Sequence, residues 1–369
     1  FTPDQQNRRT ALVQVVEKVG PAVVNIFTEE SLPAPRNPFR HFGNKFFDDF
    51  FSQMFPSLPS KRRSLGSGVL INPEGYILTN DHVIGKAGSI QVTLKDKRVF
   101  DAQLVGADVT SDLAVIKIDS EKPLPHVEMG RSDDLMIGET VIAIGNPFGL
   151  QHTVTAGIVS ALNRSIRAGN DTVYHDFIQV DASINPGNSG GPLLNINGSL
   201  IGITTAIYDR AEGIGFAIPI DNAKRILDDL IHFGKVRRGW LGVSVQNLSP
   251  QIQQYFKLDR PWGVMVTRVV RKSPADRAGL RRGDIIVTLD DHEIRDRSEY
   301  KERLASYSVG NGIRLGILRD GKKKRLNVKV ASITADSVDE FILNWLGLRV
   351  QEITGRQVRK YGLATRKGV

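Results

Sequence analysis

The sequence contains no cysteine. That excludes disulfide staples, thiolate metal sites and a cysteine nucleophile. No stretch reaches ~18 uninterrupted apolar residues, so no membrane span is expected. No G-x-x-x-x-G-K-[ST] loop occurs, which removes the phosphate cradle of ATP-driven machines. Aromatic residues are only 7% of the chain. Few of them lie among the basic residues, which argues against base-stacking platforms and nucleic-acid binding. No cofactor and no metal is expected. No methionine precedes Phe1 and no charged-then-apolar leader follows it. The expectation is a mature or trimmed chain whose signal peptide lies out of view.

What is present is 369 residues, 40% apolar and 24% charged, enough for two or three globular domains. The net charge of +9 is unevenly placed. Residues 1–234 sum to −5, whereas residues 235–329 hold 22 basic and 10 acidic side chains. Lys322-Lys323-Lys324-Arg325 is the densest basic run. It follows Asp320-Gly321, a hairpin signal, and is expected to be a solvated turn.

Residues 10–19, "TALVQVVEKV", place Leu12, Val13, Val16 and Val19 on one helical face, and Gly20-Pro21 stops the helix. A buried strand, "AVVNIF", follows. Residues 31–64 form a long insert with seven phenylalanines between Phe39 and Phe55. It reads either as a contact element or as a satellite cluster on its own domain. Short apolar strands then alternate with turn residues for about 150 residues, the pattern of an all-β sandwich or barrel. Asp221 is a candidate cap for a closing helix with Ala223, Ile226, Leu227, Leu230 and Ile231 on one face and Gly234 at its end. The first domain is therefore expected to span 1–234. Residues 235–332 read as a compact α+β unit. In it Ser273-Pro274 opens one helix, and Ser298 is the candidate cap of another bearing Tyr300 and Leu304. "WLGLRVQEITGRQVRKYGL" at 345–363 parallels "WLGVSVQNLSPQIQQYFKL" at 240–258. Residues 333–369 are thus expected to be a linker and the incomplete start of a second such module.

The chemistry points to "SINPGNSGGPLL", residues 183–194. Glycine opens backbone conformations closed to other residues, and proline fixes φ. A turn this heavily punctuated can aim consecutive N–H groups at one point beside the Ser189 hydroxyl, the geometry that acyl transfer needs. A serine nucleophile also needs a base, and the base needs an orienting group. His41, His126, His152, His175, His232 and His292 stand in loop-like or solvated contexts. His82 instead closes an apolar strand in "YILTNDHVI". Asp112 begins the apolar strand "DLAVIKI", where a lone charge is costly unless paired. Its competitor, Asp108, lies in the turn itself. The chain order His82, Asp112, Ser189 is that of the chymotrypsin-like enzymes. Two short-strand units with the serine in the second suit a double β-barrel.

"TNDHV", "SDLAVIKI", "GNPFGL", "GNSGGPLLN" and "GIGFAIP" resemble the HtrA/Deg family of trypsin-like serine proteases, and the downstream repeats resemble PDZ domains. The resemblance implies a mainly β fold, a chymotrypsin-like double barrel followed by α+β PDZ modules. It implies Ser189 as nucleophile, His82 as general base and acid, and Asp112 as orienter. The oxyanion hole would be formed at Gly187, Asn188 and Ser189, by the N–H groups of Gly187 and Ser189. Digestive relatives carry Asp before the serine. Asn188 offers no charge, so activation is expected through ordering of loops 162–176, 184–188 and 205–213 rather than zymogen cleavage. Ile184 and Ile207 are expected to line a pocket for Val or Ala before the cut. Trp240, Leu241, Gly242 and Val243 stand where that family's PDZ carboxylate loop lies, for C-terminal peptides. The expected function is ATP-independent endoproteolysis of misfolded or unfolded polypeptides in a periplasmic homotrimer or multiple of it. A holdase chaperone or a PDZ scaffold is the alternative.

Overall fold

The computed structural model describes residues 3–29, 63–85, 87–146, 152–168, 172–185, 187–207, 213–255 and 262–332. The Phe-rich insert and the second-module sequence at 333–369 lie outside them. The chain divides into two units, Phe1–Val236 and Arg237–Val369.

The first unit holds two closed antiparallel barrels of six strands each. Barrel one comprises β1 (Val23–Glu29), β2 (Arg63–Leu70), β3 (Tyr76–Thr79), β4 (Ser89–Thr93), β5 (Val99–Asp108) and β6 (Leu113–Ile118). Barrel two comprises β7 (Thr140–Gly145), β8 (Thr153–Ala168), β9 (Thr172–Val180), β10 (Pro192–Asn195), β11 (Leu200–Ile207) and β12 (Gly215–Pro219). Strand alternation sends neighbouring residues to opposite faces. In β6, Ala114, Ile116 and Ile118 fill barrel one, while Leu113 and Val115 join a second cluster. In β7, Val141 and Ala143 fill barrel two, while Ile142 and Ile144 join that same second cluster. Lys117 and Thr140 apart, these strands hold no polar side chain, because both of their faces are buried.

The shared cluster also takes Ile220, Ala223, Ile226 and Leu230 from the helix Ile220–Phe233. That helix packs on β5 and β6 of one barrel and on β11 and β12 of the other. Gly234 ends it in the left-handed conformation, φ 70°. Its N-cap is Pro219, not Asp221. The Asp221 carboxylate instead accepts from the N–H and hydroxyl of Ser132, at 2.8 and 2.9 Å. The helix Ala11–Val19 is capped by Thr10 and buries Val15 and Val19, with Leu12 and Val16 partly buried. Val13, expected inside, is exposed. Positions 12, 15, 16 and 19 lie closer together around a 3.6-residue turn than 12, 13, 16 and 19 do.

Residues 162–176 were expected to be a loop, but mostly lie in a strand hairpin. Arg164 pairs with Phe177, Ile166 with Tyr174 and Ala168 with Thr172. Bulges interrupt the register, and Asn163 and Asp176 take positive φ.

The second unit is one antiparallel sheet in the order β13 (Val243–Asn247), β14 (Val264–Val269), β15 (Ile285–Leu289), β17 (Gly312–Arg319), β18 (Lys322–Lys329), with β16 (His292–Glu293) paired to β15. Ser273 caps the short helix Pro274–Arg277 by accepting from Asp276 N–H. The helix Arg297–Ala305 is capped by Asp296, which accepts from Glu299 N–H at 2.9 Å. Ser298 falls inside it, two residues too late to serve as cap. Tyr300 is buried beneath it and Leu304 partly so.

Leu230 is fully buried in the cluster that both barrels share. Leu230→Ala is expected to destabilise the first unit by about 2–5 kcal/mol. Urea unfolding followed by circular dichroism should show that loss, with the second unit's transition unmoved.

Candidate active site

Strand β3 ends at Thr79, and the chain turns at once into the single helical turn Asp81–Ile84 that carries His82. Asp112 stands just before β6 at φ 53°, a left-handed conformation that Asp and Asn tolerate best among residues with a side chain. Asn80 Nδ2 donates to the Asp112 carbonyl at 2.9 Å, fixing that turn against the end of β3. The Asp112 carboxylate then collects three donors. They are the His82 N–H at 3.1 Å, the His82 ring Nδ1 at 2.8 Å, and the Thr205 hydroxyl at 2.7 Å. Its side chain is only 14% exposed, so the charge is sustained by these partners rather than by water. Asp108 does not join them here. Its carboxylate accepts from the N–H and hydroxyl of Ser111, within its own turn.

Thr205 belongs to β11 of the second barrel. Its carbonyl accepts from the Ser189 hydroxyl at 3.2 Å, while its own hydroxyl holds Asp112. One residue thus touches both the serine and the carboxylate that orients His82. The serine loop is pressed against the end of β3 as well. A Cβ on Gly190 would stand 2.2 Å from the Ser67 carbonyl and 2.3 Å from Thr79 Oγ1, at a φ of 82°. The backbone can approach so closely only because position 190 has no side chain.

Gly187, Asn188 and Ser189 are all buried. Asn188 N–H donates to the Asn185 carbonyl at 2.9 Å. Of the three amides, Asn188's is therefore engaged inside the turn, whereas those of Gly187 and Ser189 make no bond to protein among the described residues. Ile184 is buried with Val180, Ala182 and Ala217 in the core of barrel two, against Gly215. The backbone of Ile207 closes β11 opposite Gly215; its side chain lies outside the described residues.

Three other histidines have described partners away from this constellation. His152 Nε2 meets the Val23 carbonyl at 3.2 Å, and His232 Nδ1 meets the Asp228 carbonyl at 2.9 Å. His126 Nδ1 lies 3.4 Å from the Leu124 carbonyl. His175 lies in β9 and His292 in β16. His41 is outside the described residues.

In the second unit, Trp240 N–H donates to the Ala331 carbonyl at 2.8 Å, so that amide is occupied. The Leu241 and Gly242 carbonyls accept from Ala275 and Val270, at 2.9 and 2.8 Å. Leu241 is buried, Gly242 takes φ 81°, and Val243 opens the sheet-edge strand β13.

Four residues of this architecture were given no role by the sequence, although Asp81 stands inside "TNDHV". They are Asp81, Thr205, and the buried hydroxyls of Ser67 and Thr204. Burial acts on the His82 ring to favour its neutral form. The Asp112 charge and hydrogen bond, joined by the Asp81 charge, outweigh it and hold the ring above its ordinary value. Asp81 is pushed up to about 6, first by burial and then by repulsion from Asp112.

The sequence pattern of a trypsin-like peptidase domain matches residues 66–203, and that of a PDZ domain matches residues 239–330. The chain is 46% identical over 336 residues to the "Probable periplasmic serine endoprotease DegP-like" of Chlamydia trachomatis serovar D, covering 89% of this chain and 67% of the relative. It is 39% identical over 381 residues to the protein of the same description in Ectopseudomonas mendocina, covering 96% of this chain and 79% of the relative. Among solved structures, "HtrA-type protease AlgW with decapeptide" is 41% identical with a TM-score of 0.58, over 87% of this chain and 98% of that one. The serine endoprotease from Yersinia pestis is 34% identical with a TM-score of 0.52, over 88% and 99%.

Removing the Asp81 charge takes away one stabiliser of the imidazolium. Asp81→Asn is expected to lower the titration midpoint of the His82 ring, read by NMR of its ring protons, from a wild-type midpoint above ~6.5. A carboxyl raised from 3.8 to about 6 contributes stability that is fully present below its unfolded value. That stability is lost as pH rises through its folded one. Asp81→Asn should therefore raise the melting temperature at pH 8 and change it little at pH 4.

Proposed function

Because the chain belongs to the HtrA/Deg family of trypsin-like serine proteases with PDZ domains and is a serine endopeptidase, we propose that Ser189, His82 and Asp112 perform its chemistry on unfolded polypeptides. The observation that carries this reading is the junction at Thr205. There the Asp112 carboxylate and the Ser189 hydroxyl, supplied by different barrels, meet one residue.

The reaction begins when the Ser189 hydroxyl turns from the Thr205 carbonyl to the His82 ring. His82 takes its proton as Ser189 Oγ bonds to the scissile carbonyl carbon. Asp112 holds Nδ1 as the donor toward itself, which assigns the role of base to the other ring nitrogen, and it stabilises the imidazolium that forms. The carbonyl π bond opens and its negative oxygen is met by the Gly187 and Ser189 N–H groups. One such donor is worth ~3 kcal/mol of barrier. Asn188, with its amide turned to Asn185, spaces the two donors. The imidazolium then protonates the leaving amine as the C–N bond breaks. Water, deprotonated by His82, releases the acyl group and restores Ser189.

Apolar Ile184 and Ile207 support a preference for Val or Ala before the cut. The burial of Ser189 supports unfolded or misfolded chains as substrates, since a buried hydroxyl is reached by an extended segment rather than by a folded surface. In the PDZ unit, the Leu241 and Gly242 amides, at the head of the sheet-edge strand β13, support binding of C-terminal peptides by strand addition. The solved AlgW structure is described with a decapeptide, which fits that role. Regulation through peptide binding and loop ordering, a homotrimer, a place in protein quality control and a periplasmic location complete the proposal. The location rests on relatives described as periplasmic. No helix among the described residues is long and apolar enough to cross a membrane.

Ser189→Ala is expected to abolish cleavage of unfolded casein, on a gel time course, while leaving the circular dichroism spectrum unchanged. Persisting cleavage by the purified variant would refute the assignment.

A further inference from the structure

The loop that carries Ser189 is permissive by composition. Gly187 takes φ 100° and Gly190 φ 82°, and Gly191 follows, so the loop's own turn bonds, Asn188 N–H to the Asn185 carbonyl and Gly191 N–H to the Asn188 carbonyl, act on a backbone that glycine leaves permissive. Two buried hydroxyls from outside the loop add to that hold. Ser67, in β2 of barrel one, donates its hydroxyl proton to the Gly187 carbonyl at 2.5 Å. Thr204, in β11 of barrel two, reaches the Asn188 carbonyl at 2.6 Å and the Gly191 carbonyl at 3.0 Å.

A trans peptide plane points its C=O and N–H in opposite directions. The Asn188 carbonyl and the Ser189 N–H share one plane. Anchoring that carbonyl to Thr204 therefore turns the Ser189 N–H away from β11. The Gly187 carbonyl and the Asn188 N–H share the preceding plane. Ser67 holds its carbonyl end, and Asn185 receives its N–H end at 2.9 Å. The Ser67 proton is itself directed, because the Ser67 oxygen accepts from Asn146 N–H at 2.8 Å. Asn25 Nδ2 in turn holds the Asn146 carbonyl at 2.8 Å. Ser67 N–H also donates to the Ser189 carbonyl at 2.8 Å. Ser67 and Thr204 are 0% and 1% exposed, so water does not compete for these bonds.

We propose that Ser67 and Thr204 form a two-hydroxyl clamp that fixes the peptide planes on either side of Asn188 and so aims the Ser189 N–H at the oxygen of the substrate carbonyl. They are positioning residues, one from each barrel, and the clamp rests on the assignment of Ser189 N–H as an oxyanion donor. It ties the quality of the site to the docking of the barrels, since a shift of β2 against β11 moves both hydroxyls relative to the loop.

Thr204→Val is the main test, because valine keeps the shape and removes only the hydroxyl. The Asn188 and Gly191 carbonyls keep their bonds from the Gly191 and Thr204 N–H groups, so the fold survives. On a chromogenic peptide with valine before the cut, kcat is expected to fall at least tenfold with KM within twofold of wild type. Thr204→Ser should restore kcat to within threefold, and Ser67→Ala should behave like Thr204→Val. A Thr204→Val enzyme with wild-type kcat overturns the clamp, as does one whose loss lies in KM, or one that Ser fails to rescue. Ser189→Ala is run beside them. If it still cleaves, the serine assignment falls together with the clamp; if it is inactive while Thr204→Val matches wild type, only the clamp falls.

Discussion

Asp112 brings a negative charge to the seam between two barrels, where little water reaches it. Burying a carboxylate is costly unless donors replace its hydration. Here three donors do so, two from His82 and one from Thr205. The requirement is mutual. The charge needs those partners, and satisfying it sets the imidazole orientation and ties β11 of one barrel to the head of β6 in the other. Asp81 adds a second carboxyl beside the same ring, close enough to raise its proton affinity and to be raised in turn by burial and Asp112. The local electrostatics thus follow from one buried charge and the groups gathered to satisfy it.

The apolar framework serves that arrangement. Alternate residues of β6 and β7 fill their own barrels, and the intervening ones fill a cluster common to both. The helix Ile220–Phe233 closes this cluster from outside and touches strands of each barrel. Rigid docking of the barrels matters because hydrogen-bonded partners meet across it at distances near 3 Å. A displacement of even one ångström would break them.

Much of this was legible in the sequence, for identifiable reasons. The apolar runs of β6 and β7 follow from two-sided burial, and Asn197-Gly198 and Asp320-Gly321 mark hairpins that the structure contains, with Gly198 at φ 79° and Gly321 at φ 72°. Glycine and proline around Ser189 announced a constrained turn, and His82 and Asp112 stood at the ends of apolar strands. What escaped notice depended on distant partners. A threonine in "GITTAI" reads as any strand threonine until Asp112, 93 positions away, is seen to accept its proton. Ser67 is equally mute, since its acceptor lies 120 positions on. Strand β9 was hidden by Asp176 at φ 66° and by register shifts that break the two-residue period. The helix starts fall at Pro219, which makes no side-chain cap bond, and at Asp296, which does; Asp221 and Ser298 lie two residues further on, inside their helices, so residue type alone misplaced both starts.

The sheet of the second unit has two margins, and they are unlike. Strand β18 displays Lys322, Lys323, Lys324, Arg325 and Lys329 to solvent along its length. Strand β13, "VSVQN", has no charged residue at all. Cationic side chains on an outer strand repel the approach of another extended backbone. The basic run expected in a solvated turn instead opens β18 and makes that margin a poor dock for a further strand. Pairing of copies of this domain along β18 is thereby disfavoured, and β13 is left as the uncharged margin among the described residues.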